Sequence, residues 1–336
     1  MAGYVRAVAA RGLVNRRQTE SKACLLVLPR CEGGKANGLT GGARCEAVGG
    51  IQSCHSLPSL VAVQYKQSTK NQTYMLKFKN KTVLITGGGS GIGEAMAYQY
   101  AKKGCNVILT GRRIETLEKV QKNCIDLGVK AWCKTVDVEK PESIDELVAW
   151  VKAEGHLLDF LFLNAGISQR ALTLETDISV DRRLMEVNYF GGIYLVKALK
   201  DMFLERGVHI GVVSSVSGVF GFPVRSAYCA SKHAIHGFYE TIALEYPQIK
   251  TTIIIPGRIH TDVSKNALDG NGKATGVMDP GQANGYDVNK CAKVAIRAIA
   301  HCRHQKVIGG FDTIMVPFYK YIPCLFRLIA RNVSAR

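Results

Sequence analysis

The stretch from residue 81 to residue 93, KTVLITGGGSGIG, decides the fold. Its first residues form a short β-branched apolar run typical of a buried strand, and a helical pattern begins among the glycines. In such a unit, Gly87 permits the tight turn, Gly91 lets the backbone approach a pyrophosphate, and Gly93 lets the helix lie close to the sheet. Glycine clusters also occur in plain loops, so the prediction of a dinucleotide site depends on the flanking strand and helix.

The same alternation of strand and helix continues along the chain. The repeating β-α-β order predicts an α/β fold, a Rossmann-like doubly wound parallel sheet of about seven strands with helices on both faces. Residues 76–310 would form this single domain. We predict strands at Lys81–Thr86, Asn106–Thr110, Lys130–Val136, Leu158–Leu163, Val208–Val213, Thr251–Ile255 and Lys306–Ile308, and early helices at Ile92–Lys103, Ile114–Leu127 and Pro141–Lys152.

A net charge of +17 favours binding to nucleic acid or to an anionic membrane. The distribution of that charge along the chain changes this interpretation. Residues 1–75 carry ten Lys/Arg against three Glu without sustained periodicity, which indicates an extension. A transit peptide and an unstructured basic tail remain alternatives for it. Since the excess charge is largely terminal, we expect no nucleic-acid partner. We predict an intracellular protein at the endoplasmic reticulum or another organelle membrane, without a transmembrane helix.

Two further segments and the cysteines contain residue types that can contact a lipid surface or bind a metal. Residues 311–336 combine aromatic and basic side chains and would contact a lipid surface, or else pack on the core or a partner subunit. The cluster His301–His304 lacks a second group of ligands elsewhere, so we expect no metal. The eleven cysteines include no C-x-x-C pair and are expected to be free thiols.

The end of the second strand indicates which nicotinamide cofactor binds. A carboxylate there would hydrogen-bond the ribose of NAD, but Arg112 and Arg113 follow instead and can hold the 2′-phosphate of NADP. We therefore favour NADP(H) over NAD(H), with two solvated arginines as the alternative. Asp137 would accept from the adenine amino group, or cap the helix at Pro141. The small residues 164–166 would lie beside the cofactor.

A Tyr-x-x-x-Lys pair places a phenol and an ammonium on one helical face, where the ammonium can lower the phenol pKa from about 10. Of the four such pairs, only Tyr228/Lys232 opens a helix after a strand that ends in serines, Ser214 and Ser215. Tyr246 precedes a proline, and we place Tyr286 in a late helix. Those two residues and Tyr98 are expected to be surface or packing residues.

Six motifs together resemble the short-chain dehydrogenase/reductase family over about residues 78 to 310. They are Thr86–Gly93, Asn164-Ala165-Gly166, Asn188 in its Val-Asn-Tyr context, Ser215, Tyr228–Lys232 and Pro256–Thr261. Within the family, the stretches Tyr228–Ala234, Pro256–Ala267 and Gly276–Asp279 resemble the branch of members 7 and 7B. The resemblance implies that Tyr228 is the acid/base, that Ser215 polarises the substrate oxygen, and that Lys232 binds the nicotinamide ribose and lowers the phenol pKa. It also implies that Asn188 bends its helix and holds a water.

Motifs and resemblance together predict a set of cofactor contacts. These are Thr86, Gly87, Ser90, Gly91, Ile92, Gly93, Arg112, Arg113, Asp137, Val138, Asn164, Ala165, Gly166, Tyr228, Lys232, Pro256, Gly257, Ile259 and Thr261.

The segment from about 261 to 286 is predicted to be the substrate lid. Its charges nearly cancel, although Arg170, Arg225 and Arg258 could contribute a cationic pocket. The resemblance implies an NADP(H)-dependent enzyme that interconverts a carbonyl and an alcohol on a steroid, retinoid or acyl or alkyl dihydroxyacetone phosphate, as a homodimer or homotetramer. A catalytically idle NADP-binding regulator or scaffold is the alternative.

Overall fold

The computed structural model describes residues 76–332. The predicted amino-terminal extension and residues 333–336 lie outside the described residues. Within the described part of the chain, no helix combines the length and the apolar character that are needed to cross a membrane.

Seven parallel strands form one sheet in the order β3-β2-β1-β4-β5-β6-β7. All seven predicted strands are present with ends within two residues of the prediction, and the predicted fold class is confirmed. Successive strands are added in one direction from β1 to β3 and in the opposite direction from β4 to β7. This reversal point lies between β1 and β4, where open α/β sheets bind their ligands. The strands are β1 (Thr82–Thr86), β2 (Asn106–Gly111), β3 (Ala131–Thr135), β4 (Phe160–Leu163), β5 (Val208–Val213), β6 (Ile249–Pro256) and β7 (Gln305–Ile308).

Helices cover both faces of the sheet, so its central strands are buried and mainly apolar, with the buried His209 of β5 bonded to Thr252. Met96 and Tyr100 pack on one face, and Leu147 and Tyr239 pack on the other. The helices are α1 (Gly91–Ala101), α2 (Ile114–Asp126), α3 (Pro141–Ala153), α4 (Ile178–Met185), α5 (Gly191–Ala198), α6 (Lys200–Arg206), α7 (Ser226–Glu245), α8 (Pro280–Ala283), α9 (Val288–Ala300), α10 (Met315–Tyr321) and α11 (Pro323–Asn332).

Tyr286 does not belong to the late helix, contrary to our prediction. The Asp287 carboxylate accepts from the Lys290 N–H and caps α9, so the helix begins only at Val288. Tyr286 instead pairs with Ile259 in an isolated parallel bridge, and its N–H donates to the Arg258 carbonyl at 2.8 Å. This bridge ties the end of the predicted lid to the loop after β6.

The carboxyl-terminal helices pack on the domain through one aromatic cluster. Phe326 of α11 is buried, and its ring centroid lies 4.8 Å from that of Phe220, in the segment that joins β5 to α7. Other apolar side chains of this region are exposed, including Tyr321 and Leu325. The predicted packing on the core therefore holds for one face of the tail, while another face is exposed.

Candidate active site

The glycine loop has the backbone geometry that its sequence predicts. Gly87 and Gly91 have φ of 65° and 57°, in the left-handed region that favours glycine. A Cβ on Gly93 would lie 2.2 Å from the Gly87 carbonyl oxygen, so α1 can approach the loop only because residue 93 has no side chain. The hydroxyl of Ser90, at the start of α1, forms no capping bond and remains available to a ligand.

Side-chain hydrogen bonds join this loop to the end of β4. The Asn164 amide donates to the Gly87 carbonyl at 3.0 Å, and the Asn164 and Ala165 N–H groups donate to Thr86 Oγ1 at 3.0 and 3.1 Å. Asn164 thus supports the loop through its side chain. Contact with the cofactor stays a prediction for Thr86, Asn164 and Ala165.

Glycines also face the predicted catalytic residues and the loop after β6. A Cβ on Gly91 would lie 3.3 Å from Thr261 Cγ2, and one on Gly166 would lie 3.6 Å from Lys232 Nζ. The loops after β1, β4 and β6 therefore approach one another closely at the reversal point, and side chains added at these glycines would contact the facing residues. A flat, extended dinucleotide with its phosphates at the start of α1 fits this arrangement.

The remaining predicted cofactor residues lie along the same sheet edge. Arg112 and Arg113 are exposed, and no ion pair involves them within residues 76–332. The Asp137 carboxylate accepts from the Glu139 N–H at 3.2 Å rather than capping α3, whose capping residue is Lys140. The helix-capping alternative for Asp137 is therefore wrong, and the adenine contact stays a prediction. The other predicted contacts lie in the loops named above or directly beside them, namely Ile92, Val138, Pro256, Gly257 and Ile259.

Lys232 is buried in α7 directly behind the predicted phenol. Its ammonium donates to the Val213 carbonyl at 2.9 Å, and its Nζ lies 5.8 Å from the centroid of the Tyr228 ring. Burial lowers the pKa of Lys232 to about 8. A proton on this side chain can therefore exchange near neutral pH.

Asn188 lies in a π-helical segment, Glu186–Phe190, which interrupts the path from α4 to α5 and matches the predicted bend. Its side-chain oxygen accepts from the Ile167 N–H at 2.8 Å, and its nitrogen donates to the Ile167 carbonyl and to Ser231 Oγ, both at 3.0 Å. The side chain thus connects the loop after β4 to α7. The water molecule that the resemblance assigns to Asn188 stays a prediction.

The electrostatics of Tyr228 differ from the sequence prediction. Burial raises its pKa, against the lowering effects of the Arg225 guanidinium and of a hydrogen bond with Ser215. Lys232 is not among the groups that lower it. The phenol is therefore a proton donor near neutral pH. Its partner Ser215 also accepts, through Oγ, from the Ser217 N–H at 3.1 Å.

Sequence reasoning missed two buried groups at this site. Gln169 Oε1 accepts from the N–H groups of Ala227 and Tyr228, at 3.0 and 3.4 Å, and so caps the helix that carries the phenol. Asp279 is buried and forms an ion pair with Arg170. Gln169 stands in no motif, and the sequence indicates Asp279 only as one of the lid's charges and as the last residue of the run Gly276–Asp279.

The predicted arginines lie close together. In addition to burial, Arg225 and Arg258 lower the pKa of Arg170, and Arg258 also lowers the pKa of Arg225. By contrast, among residues 76–332 no three His, Cys, Asp or Glu side chains are grouped as metal ligands.

Comparison with known proteins identifies the class to which this fold and site belong. A family model described as short chain dehydrogenase matches residues 81–272, and the chain belongs to the short-chain dehydrogenase/reductase family of oxidoreductases. It is 39% identical to a Drosophila melanogaster dehydrogenase/reductase SDR family protein 7-like, over 80% of this chain and 84% of the relative. It is 34% identical to the Xenopus laevis SDR family member 7B, over 73% and 79%.

Solved structures share the fold. An alcohol dehydrogenase from Thermococcus sibiricus, complexed with 5-hydroxy-NADP, is 25% identical with a TM-score of 0.60, covering 69% of this chain and 97% of its own. A Burkholderia phymatum short-chain dehydrogenase/reductase in complex with NAD gives a TM-score of 0.63 at 22% identity, covering 77% and 96%. Both cofactors therefore occur on this fold.

Proposed function

We propose that the protein is an NADP(H)-dependent oxidoreductase that interconverts a carbonyl and a secondary or primary alcohol on a lipid-like substrate of the steroid, retinoid or acyl or alkyl dihydroxyacetone phosphate type. The observation that carries the proposal is the hydrogen-bonded pair Tyr228–Ser215, with the buried Lys232 ammonium 5.8 Å from the phenol ring, beside the glycine-lined loops. This combination supplies a proton donor and a polarising hydroxyl next to glycine-rich loops of the kind that bind a dinucleotide.

The nicotinamide, when bound, supplies or accepts the hydride. In the reducing direction, Tyr228 donates its proton to the substrate oxygen as the carbonyl becomes an alcohol, and Ser215 hydrogen-bonds that oxygen. Lys232 would hold a ribose hydroxyl of the cofactor and would return a proton to the phenol, for which a pKa of about 8 is suitable. In the oxidising direction the deprotonated phenol accepts the alcohol proton.

Turnover with purified protein tests the reaction class. We expect retinal, steroid ketones or lipid ketones to consume NADPH, followed by the loss of absorbance at the nicotinamide band. Tyr228→Phe should lower the rate by at least about 100-fold, since it removes the transferred proton. Tyr98→Phe is the matched control, because Tyr98 belongs to the same kind of Tyr-x-x-x-Lys pair but bonds only Glu94 and Asn123.

Tight NADPH binding without turnover of any ketone would instead support the idle regulator or scaffold. Retention of full activity in Tyr228→Phe would contradict the assigned chemistry even if turnover is observed.

The preference for NADP depends on Arg112 and Arg113, exposed at the end of β2 with no carboxylate between them and the strand. Guanidiniums bind a phosphate in bidentate fashion. Arg112→Ala combined with Arg113→Ala should raise KM for NADPH by about 10- to 100-fold and leave KM for NADH nearly unchanged. An equal effect on both cofactors would overturn the assignment.

We further propose a homodimer or homotetramer that contacts an organelle membrane such as the endoplasmic reticulum through the carboxyl-terminal tail. The support is the exposed apolar face that holds Tyr321 and Leu325, near Lys320 and Arg327. Flotation of the full chain with anionic and neutral vesicles tests the contact, light scattering tests the assembly, and imaging with and without residues 1–75 tests whether that segment is a targeting signal. An absence of flotation would contradict the membrane contact.

A further inference from the structure

Three arginines from three separate loops lie close together, and one of them, Arg225, lies beside the ring of Tyr228. Arg170 lies in the segment after β4, Arg225 directly precedes α7, and Arg258 follows β6. We propose that these arginines bind an anionic group of the substrate, a phosphate monoester or a carboxylate that lies a few bonds from the reacting carbonyl. The inference rests on the proposed carbonyl chemistry and narrows its substrate class.

The positive charge of this cluster exceeds the negative charge that balances it. Asp279 is the acidic partner of the set, and its Oδ1 already accepts from the Gly281 and Gln282 N–H groups at 2.6 and 3.2 Å. Its Oδ2 binds Arg170 and lies 3.7 Å from Arg225. Within the described residues, Arg258 makes no ion pair through its side chain. Three guanidiniums thus share about one carboxylate oxygen.

Burial makes this excess unfavourable in the protein alone. Arg170 and Arg225 expose only 13% and 16% of their side chains, and both have a buried Nε without a hydrogen-bond partner. Burial, together with the neighbouring guanidiniums, lowers the pKa of both side chains. A buried donor or charge that lacks a partner costs free energy, and an anionic ligand would supply the missing acceptors.

The position of Arg225 limits how far the anion lies from the reacting carbon. Its Cζ is 5.9 Å from the centroid of the Tyr228 ring, and the substrate oxygen must hydrogen-bond the hydroxyl of that same ring. An anionic group on the guanidinium would therefore lie within a few bonds of the carbonyl. Of the proposed lipid ketones, those that carry a phosphate near the ketone meet this requirement, whereas neutral steroid and retinoid ketones do not.

A purely structural role explains only part of the cluster. The Arg170–Asp279 pair joins the loop after β4 to the end of the lid, and it would hold the lid without any ligand. That role leaves the unpartnered Nε of Arg225 and the side chain of Arg258 unexplained, since Arg258 packs against Gly281 without an acidic partner. Arg225 and Arg258 are therefore the residues at which the two roles can be separated.

The test compares two ketones that differ in one group, an alkyl dihydroxyacetone phosphate and the same alkyl dihydroxyacetone without its phosphate. We expect kcat/KM with NADPH to be about 100-fold higher for the phosphorylated ketone, and Arg225→Gln or Arg258→Gln each to reduce that ratio about tenfold or more. Arg183→Gln is the matched control, since Arg183 pairs with Glu139 on the surface and should leave the ratio unchanged. Circular dichroism confirms that each variant is folded.

Reduction of the neutral ketone with an equal or higher kcat/KM would overturn the anion site and leave the proposed oxidoreductase intact. If neither ketone is reduced, the proposed function fails and the anion site is decided by binding. In saturating NADPH, which occupies the cofactor's own phosphate contacts, inorganic phosphate should then raise the melting temperature of the wild type and of Arg183→Gln but not of Arg225→Gln. Absence of that difference would overturn the inference.

Discussion

The two halves of the active-site edge are constructed differently. The cofactor half, after β1 and β2, consists of glycines and exposed arginines, and its shape depends on the absence of side chains, as at Gly93. The substrate half, after β4 to β6, consists of buried polar side chains such as Asn188 and Lys232 that bond to one another or to the backbone. A substitution in the cofactor half should therefore reduce function by adding volume, and one in the substrate half should reduce it by removing a hydrogen-bond partner.

The difference also concerns charge. In the cofactor half the arginines are exposed and can be neutralised by water and salt. In the substrate half, Arg170 and Arg225 are largely buried, so the charge of Arg225 acts on Arg170 and on Tyr228 with little screening. The substrate half should consequently respond to pH and to the charge of its ligand, and the cofactor half to added volume.

Added volume at Gly93 should produce the largest effect. In Gly93→Ala the new methyl group would lie 2.2 Å from the Gly87 carbonyl oxygen, a backbone atom that can move only with the whole loop. We expect nucleotide affinity to fall by about 100-fold or more and the protein to lose about 1–3 kcal/mol of stability. Nucleotide titration and thermal unfolding measure the two effects.

The matched control is Gly237→Ala in α7, where no atom beyond the neighbouring residues and the helix's own backbone lies within 4 Å of the added methyl. Alanine favours the helix, so this variant should gain about 0.5–1 kcal/mol and bind the nucleotide normally. Similar losses in both variants would mean that general glycine flexibility, rather than space at residue 93, defines the cofactor half.

Removal of a partner at Asn188 should produce the next largest effect. Asn188→Ala leaves both backbone groups of Ile167 unpaired in a buried region, each at a cost of about 1–3 kcal/mol unless water replaces the amide. Turnover should fall with stability, because the same amide holds Ser231 on the catalytic helix. Asn123→Ala, which loses one exposed bond to Tyr98, should change stability by less than about 0.5 kcal/mol. Equal effects would contradict the proposed role.

A smaller effect is expected at Gln169, whose oxygen caps α7. Gln169→Met keeps the side-chain length and removes the acceptor of the Ala227 and Tyr228 N–H groups, a change that costs about 1 kcal/mol. We expect kcat to fall several-fold with nucleotide affinity unchanged. Gln121→Met is the control in the cofactor half, where Gln121 bonds the Ala131 carbonyl. A loss of kcat in the control as well would show that stability, not the position of the phenol, limits turnover.

Most of the fold was predictable because it depends on local and repeating signals. Apolar runs with intervening helical patterns located all seven strands, and the glycine loop before α1 located the reversal point. Helix starts set by a capping side chain were harder to predict. Asp287 begins α9 one residue after Tyr286, and a periodicity argument cannot distinguish a tyrosine just before a helix from one just inside it.

The site was predictable to the extent that its residues stand in motifs. Tyr228, Ser215 and Lys232 lie together as their spacing predicts. Gln169 and Asp279 were missed, because their importance arises from contacts with residues 58 and 109 positions away in the sequence. The sequence also suggested Lys232 as the group that lowers the phenol pKa, whereas in the folded protein Arg225 has that effect.

The last prediction concerns that pKa. Since burial raises the pKa of Tyr228 above 10, the phenol is protonated across the neutral range, so reduction should change little from about pH 6 to 9. Alcohol oxidation needs the deprotonated phenol, so its kcat/KM should rise about tenfold per pH unit over the same range. Arg225→Gln removes the largest lowering influence and should move the alkaline limb of oxidation to still higher pH, whereas Arg183→Gln should not.

Profiles of kcat/KM for a neutral alcohol, measured at saturating NADP, distinguish two origins of the phenol's acidity. If the alkaline limb of the oxidation profile moves in Arg225→Gln, the buried charges of the substrate half set the pKa of Tyr228. A plateau below about pH 8 that ignores Arg225 would contradict this, because the phenol would then be acidified from the cofactor side, by the oxidised ring and Lys232. In that case the two halves would be coupled through Lys232, whose ammonium bonds the Val213 carbonyl behind the phenol.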